Sequence, residues 1–402
     1  MRITKNEIIP SLSGFQYGYN TSIIAGALLF IAAQFSLTRF QEGILVGVTM
    51  IGMCLASFSA ILANYFGRKK VLFLSVLMFF GGCLGAALAP NFYLLLLGRL
   101  LVGFGAGIAI VAAPLYLVEI APAESRGSVM NMNQVGLALG SLLAYLACYL
   151  LGFWGEWRVM FALGLIPALI QFVGLFFIPE TLKKPQKEGS SWKNVLEPSF
   201  RSRFWIILGL ICFQPLSGAG AIFFFAPRVF EKAGFADVSS FLLATVILGI
   251  VYLLAIFVSF VVVDRLGRRP LLIGSFLGMG VSLAVIAFFS YIGSPWLNQV
   301  TITFVLTYIA FYSIGAGPIP PMVIGEVSPL QVRGHVMTLM GFFGWLINYL
   351  IALTFLPLMH FLSLSGVFLI YTCFCFIGMI YFYRKLPETK QKSFQEIEAM
   401  FS

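Results

Sequence analysis

The chain has 402 residues, 60% of them hydrophobic and only 10% charged, with a mean hydropathy of +0.98. A soluble domain carries about 25% charged residues, so water cannot be the solvent for most of this surface. The formal net charge of +10 does not mark a nucleic-acid binder, because no basic run with interleaved aromatics stands apart from the end of an apolar segment.

Apolar stretches long enough to cross the hydrocarbon core as helices, about 20 residues each, recur along the chain. They fall near 11–33, 43–65, 71–90, 92–119, 127–151, 157–178, 205–230, 239–263, 271–291, 299–325, 334–359 and 363–384, and are numbered 1 to 12 in that order. The spacing predicts an all-α, multi-pass membrane protein with the lipid bilayer as its solvent. The first eight residues carry Arg2, Lys5, Asn6 and Glu7 and the first apolar run is a full span, so no signal peptide is expected. Stretch 1 holds Asn20, within the chain's single N-x-S/T triplet; inside a span it is no glycosylation site.

Stretch 4 contains Gly98, Gly103, Gly105, Gly107 and Pro114, together with Arg99. Arg99 lies about eight residues in, roughly 12 Å at 1.5 Å per residue. An intramembrane cation is a functional candidate by default; the alternative is a side chain that snorkels to the interface. Stretch 7 carries Gly218, Gly220 and Pro227, and stretch 10 carries Gly315, Gly317, Pro318, Pro320 and Pro321. Proline removes a backbone hydrogen bond and bends a helix, and such breaks persist in lipid only where protein or a water-filled cavity satisfies the freed groups. Stretch 10 is therefore expected to line a cavity or to move, whereas close packing through small residues is an equal reading for stretch 4.

Between stretches 6 and 7 runs one long polar connection, 179–204, which is a plain tether or carries a short amphipathic helix around 191–196. Six cysteines all fall within apolar stretches, and no metal-type Cys/His spacing appears. No metal or cofactor is expected. Two histidines, no nucleophile–base pair and no phosphate-cradling glycine loop leave nothing to build an enzyme on.

Three signatures occur twice in the same order. Gly67-Arg68-Lys69 returns as Gly267-Arg268-Arg269, 200 residues on. Glu119 with Arg126 returns as Glu326 with Arg333, 207 residues on. Pro179-Glu180-Thr181 returns as Pro387-Glu388-Thr389, 208 residues on. The chain thus reads as one six-helix half built twice: 1–178, a linker at 179–204, a second half at 205–384 and a tail at 385–402. Two parallel halves around a midplane site are the architecture of an alternating-access carrier. With the termini inside, 20 of the 25 Lys and Arg fall on the cytosolic side, and the positive-inside rule predicts that both termini are cytosolic.

The ordered motifs resemble the sugar porter family of the major facilitator superfamily. The match runs through Gly18-Tyr19-Asn20, Gly67-Arg68-Lys69, Gly98-Arg99, Glu119 to Arg126-Gly127, Asn133-Gln134, Trp157-Arg158 and Pro179-Glu180-Thr181. It continues through Gln214-Pro215-Leu216-Ser217-Gly218, Asp264 to Arg269, Gly317-Pro318-Ile319-Pro320, Glu326 to Arg333 and Pro387-Glu388-Thr389. The resemblance implies the major facilitator fold. It also implies that Arg68, Arg126, Arg268, Arg269 and Arg333 pair with Glu119 and Glu326 in a cytosolic latch between the halves, broken when the carrier opens inward. The first copy departs from this pattern, with Asn64 and Tyr65 where the second has Asp264 and Arg265.

The same resemblance places solute contacts at Gln134, Gln214, Trp345 and Asn348, with Asn20 and Arg99 as candidates beside them. Amides both donate and accept, which suits sugar hydroxyls. Pro215, Gly220, Tyr252, Pro321 and Gly344 stand where the family has hydrogen-bonding or aromatic groups, and Phe223, Phe224 and Phe225 replace its outer-gate aromatics. Proton-coupled members carry an Asp facing the stretch 4 arginine; here that position is Asn20, and a stretch 6 Glu aligns with Gly164. The spans show no carboxylate near their middles, the closest being Glu119 and Glu326. The expected function is uniport of a small neutral sugar or polyol by a monomer in a bacterial cytoplasmic membrane. The alternatives are a proton symporter using His335, His360 or a terminal glutamate, a carrier of another small organic solute such as a drug exporter, and a non-transporting sensor.

Overall fold

A computed structural model describes residues 5–59, 63, 66–120, 126–181, 201–328, 333–390, 392, 396, 397 and 400, with the backbone alone at 5, 118, 126–131, 201, 264 and 333. Among the described residues there are 12 helices long and apolar enough to cross a membrane. They are α1 Lys5–Phe35, α2 Arg39–Ala56, α3 Arg68–Ala87, α4 Phe92–Ile120, α5 Arg126–Gly152, α6 Trp157–Leu175, α7 Ser202–Lys232, α8 Val238–Leu266, α9 Arg268–Tyr291, α10 Leu297–Val327, α11 Arg333–Phe361 and α12 Ser363–Lys385. The connection at 182–200, with its candidate amphipathic helix, lies outside the described residues.

Three spans are broken, and the breaks follow the glycines and prolines. In α7, Pro215 sits in the first piece and Gly218 opens the second at φ 92°, a left-handed conformation that glycine adopts without steric cost. In α10 a π-helical turn over Tyr312–Ala316 precedes the piece Ile319–Val327, in line with the irregularity expected there. The pieces of α6 meet at Leu163 and Gly164. By contrast α4 is continuous through Pro114. Its glycines are contact points: a Cβ on Gly103 would run into the Thr49 carbonyl of α2, and one on Gly98 would lie 2.6 Å from the Ala86 nitrogen of α3. Close packing is what these glycines serve in α4.

The helices of each half pack on one another, α1 on α5, α2 and α3 on α4, and α9 on α10 and α12. The halves meet where α2 lies along α11, where α5 lies along α8, and where α1 meets the second piece of α7. Gly43 would place a Cβ 2.8 Å from the Ala352 carbonyl, and Gly47 one 2.7 Å from the Tyr349 ring. Small residues thus let the two halves approach backbone to backbone. The start of α2 differs from expectation. Helix α2 begins at Arg39 behind a capping box formed by Thr38 and Gln41, four residues ahead of the apolar run, and this draws Glu42 into the fold.

Candidate functional site

Arg99 is buried inside the first half, with 1% of its surface exposed, so it does not snorkel. Its Nη1 donates to the Asn20 carbonyl at 3.1 Å, and its guanidinium lies 5.5 Å from the Phe161 ring centroid. Burying a charge without a counter-ion is costly; here a carbonyl dipole and an aromatic face supply part of the compensation. The Asn20 side chain accepts from the Cys83 thiol at 3.7 Å. Arg99 Nε and Asn20 Nδ2 are buried without a protein partner among the described residues. A Cβ on Gly164 would stand 3.3 Å from Asn20 Nδ2 and 3.2 Å from Cys83 Sγ, so any side chain there would point into this pocket. Asn20 and Arg99 therefore form one constellation between α1, α3, α4 and α6, enclosed by first-half residues.

A second group gathers where the halves meet. Gln214 Nε2 donates to the Tyr312 hydroxyl at 2.8 Å, and Tyr312 packs on Phe223 at 5.6 Å between centroids. Phe223 also meets Tyr252 at 5.0 Å, and its carbonyl accepts from the Tyr145 hydroxyl of α5 at 3.0 Å. Trp345 of α11 sets its edge against Tyr17 of α1 at 5.9 Å. Asn348 donates to the Gly344 carbonyl of its own helix at 2.9 Å, and its Oδ1 lies 2.7 Å from where a Gly220 Cβ would be. The amide of Asn348 thus occupies the space that a side chain at 220 would need. Gly344 has open space where its Cβ would project. Gln134 is half-buried on α5. Of the residues expected to hold solute, Gln214, Trp345 and Asn348 lie in this second group, apart from Asn20 and Arg99.

Sequence reasoning missed the aromatic share of this group. Tyr17, Tyr145, Tyr252 and Tyr312 come from α1, α5, α8 and α10; Tyr252 and Tyr312 both pack on Phe223, Tyr145 donates to its carbonyl, and Tyr17 meets Trp345. The signal was present at Tyr252, which reads as the loss of an amide yet supplies a phenol, a donor and acceptor on a flat apolar ring. Phe224 and Phe225 are buried, Phe225 stacking on Phe355 at 5.1 Å, so the phenylalanine run does not face lipid.

On the face that carries the termini, the duplicated signatures do matched work. Gly67 and Gly267 precede α3 and α9 at φ 97° and 94°, a turn that requires glycine. Glu180 accepts from the Lys69 backbone nitrogen at 3.2 Å. Glu388 accepts from those of Arg268 and Arg269, each at 3.0 Å. The glutamate of each Pro-Glu-Thr thus meets the positive end of a helix dipole. Burial opposes ionisation of Glu388, but N–H donors from Lys390, Arg268, Arg269 and Thr389 outweigh it and hold the carboxyl below the usual carboxylate range.

Two of the expected arginine–glutamate pairs form. Arg68 meets Glu119 at 3.0 Å, and Arg268 meets Glu326 at 3.3 Å; in the conformation described each pair joins two helices of one half. Arg68 also donates to the Ala63 carbonyl, and Thr389 donates to Glu326 at 2.6 Å. Arg269 turns away from Glu326: its Nη2 donates to the Tyr383 carbonyl at 2.6 Å and its guanidinium covers the Tyr383 ring at 5.6 Å. The side chains of Arg126, Arg333 and Asp264, and all of Asn64 and Tyr65, lie outside the described residues.

The opposite face holds an ion pair that the sequence reading did not foresee. Glu42 of α2 meets Arg228 of α7 at 2.9 Å and Arg39 at 3.4 Å, and Arg228 also meets Glu231 at 3.0 Å. A buried carboxylate therefore exists in a span after all, though at its end.

A family model described as sugar (and other) transporter matches residues 7–183 and again residues 181–401. A D-xylose transporter of Levilactobacillus brevis is 31% identical, over 97% of this chain and 93% of its own length. A galactose-proton symporter of Escherichia coli strain K12 is also 31% identical, over 97% and 92%. The inward open conformation of the xylose transporter XylE from E. coli superimposes with a TM-score of 0.85 at 26% identity, covering 98% of this chain and 99% of that one.

Proposed function

The chain belongs to the sugar transporter family of the major facilitator superfamily, and from that premise we propose that it is a facilitative carrier of a small neutral sugar or polyol. The solute binds at the meeting of the halves, against Gln214, Trp345, Asn348 and Gln134 and the phenols of Tyr17, Tyr252 and Tyr312. Aromatic faces cover the apolar C–H surface of a sugar ring while amides and phenols bond its hydroxyls. Rocking of the halves then exposes this group to one side of the membrane and then to the other. The relatives' names, a D-xylose transporter and a galactose-proton symporter, support a sugar.

One observation carries the uniport reading. Around Arg99 stand Asn20, Gly164 and the Cys83 thiol, with no carboxylate in contact among the described residues. A guanidinium stays charged and cannot release a proton, so an amide beside it has no proton to exchange with the solute cycle. The termini are taken as cytosolic from the charge bias, and the face closed by Glu42 and Arg228 is then external. Proton symport is the second reading, favoured by the burial of Glu42, which would have to take up the proton at the external face.

Counterflow in proteoliposomes tests the assignment, with D-xylose, D-glucose, D-galactose, myo-inositol and a lipophilic cation as solutes. The expected result is saturable exchange of a sugar or polyol and none of the cation. Exchange of the cation alone would overturn it.

A further inference from the structure

Glu42 and Arg228 are 186 positions apart and come from opposite halves. The Glu42 side chain is 3% exposed and that of Arg228 12%. They line a recess of 460 Å³ together with Leu29, Ala32, Leu37, Thr38 and Arg39 among others, so water reaches one side of the pair. Three features fix Glu42. It lies in the first turn of α2, where the helix dipole favours an anion. Arg39 meets its Oε1 and Arg228 its Oε2. Arg228 is held in turn by Glu231, one turn along α7. Close apolar contacts continue the seal, with Gly26 of α1 and Gly152 of α5 both facing Leu242 of α8.

We propose that Glu42 and Arg228 form a charged latch between the halves on the face opposite the termini, and that transport must break it whenever that face opens. A paired buried charge is close to neutral in stability, whereas one left alone is costly. Breaking the pair by separation admits water from the recess to both partners, so neither is left dry and alone. Such a latch is reversible, as a cycle requires, and its strength sets how often the face opens. The ion pairs Arg68–Glu119 and Arg268–Glu326 on the terminal face stay within their halves and do not perform this function in the conformation described. Glu42 and Arg228 are positioning residues; they lie at the rim, away from Gln214 and Trp345.

Spin-label distances on the full-length protein test this, with Cys212 and Cys373, the cysteines that are not buried, replaced by serine. One label pair at Tyr93→Cys and Tyr291→Cys reads the latch face; a second at Phe66→Cys and Leu266→Cys reads the terminal face. All four positions are exposed. In E42Q and in R228Q the latch-face distances gain a longer population and the terminal-face distances a shorter one. R228K, which keeps the charge but not the two-pronged contact, shifts the same way by less and covers the case in which a neutral variant fails to fold. Unchanged distances in the folded variants would overturn the proposal. So would lengthening on the latch face alone, which would mean local loosening and not a rocking of the halves.

Discussion

Arg99 Nη1 donates to the Asn20 carbonyl at 3.1 Å, and the Asn20 side chain, held by Cys83 at 3.7 Å, faces the same pocket. A carboxylate at position 20 would stand beside a fixed guanidinium whose Nε has no protein partner among the described residues. N20D should therefore introduce a titrating group and make uptake depend on a pH gradient. Uptake by N20D and by the native chain, each with and without an imposed gradient, checks this: only N20D responds.

Gln214 and Tyr312 share one hydrogen bond. Each group also offers the proposed solute one neutral hydrogen bond, worth about 1 kcal/mol net, which is about a fivefold change in affinity at 0.59 kcal/mol per natural-log unit. Q214A and Y312F should each raise the KM for the solute by about fivefold, and the double variant by much less than the product, because partners in one bond are not additive. Concentration series for the three variants give the coupling directly.

Glycine packing in α3 and α4 yields a stability prediction. A Cβ at Gly103 meets the Thr49 backbone, whereas one at Gly81 meets nothing within 4 Å. G103A should destabilise by about 1–3 kcal/mol, as over-packing does. G81A should be neutral or stabilising by up to about 1 kcal/mol through helix propensity. Thermal unfolding in detergent, side by side, ranks the two.

The depressed ionisation of Glu388 sets a pH dependence. Its folded-state pKa lies below the ordinary glutamate value of about 4.3, so the stability it contributes is complete above that value. That contribution is lost as pH falls through the lower folded value. E388Q should lower the melting temperature near neutral pH and flatten its fall below about pH 4.3. Melting curves from pH 6 down to 3.5, on the order of one pH unit below that ordinary value, give the comparison.

Much of the architecture was legible because lipid imposes length and hydropathy on every span, and the signatures at 67–69 and 267–269 announced the duplication before any contact was known. The structure adds what those signatures do: glycines at φ 97° and 94° turn the chain, and Glu180 and Glu388 then meet the helix starts behind them. Glu42 escaped notice because the apolar run of α2 begins after it, while the helix begins before it at a capping box. Its partner Arg228 falls near the end of stretch 7, and nothing local in the sequence connects positions 186 apart. Arg269 looked equivalent to Arg268, yet its side chain meets the Tyr383 carbonyl and ring, a choice made by the end of α12.

Solute uptake into proteoliposomes under an imposed proton gradient tests the central reading most directly. The account predicts that sugar or polyol uptake saturates, stops at equal concentrations inside and out, and is unchanged when a protonophore collapses the gradient. Accumulation above the external concentration that disappears with the protonophore would contradict it.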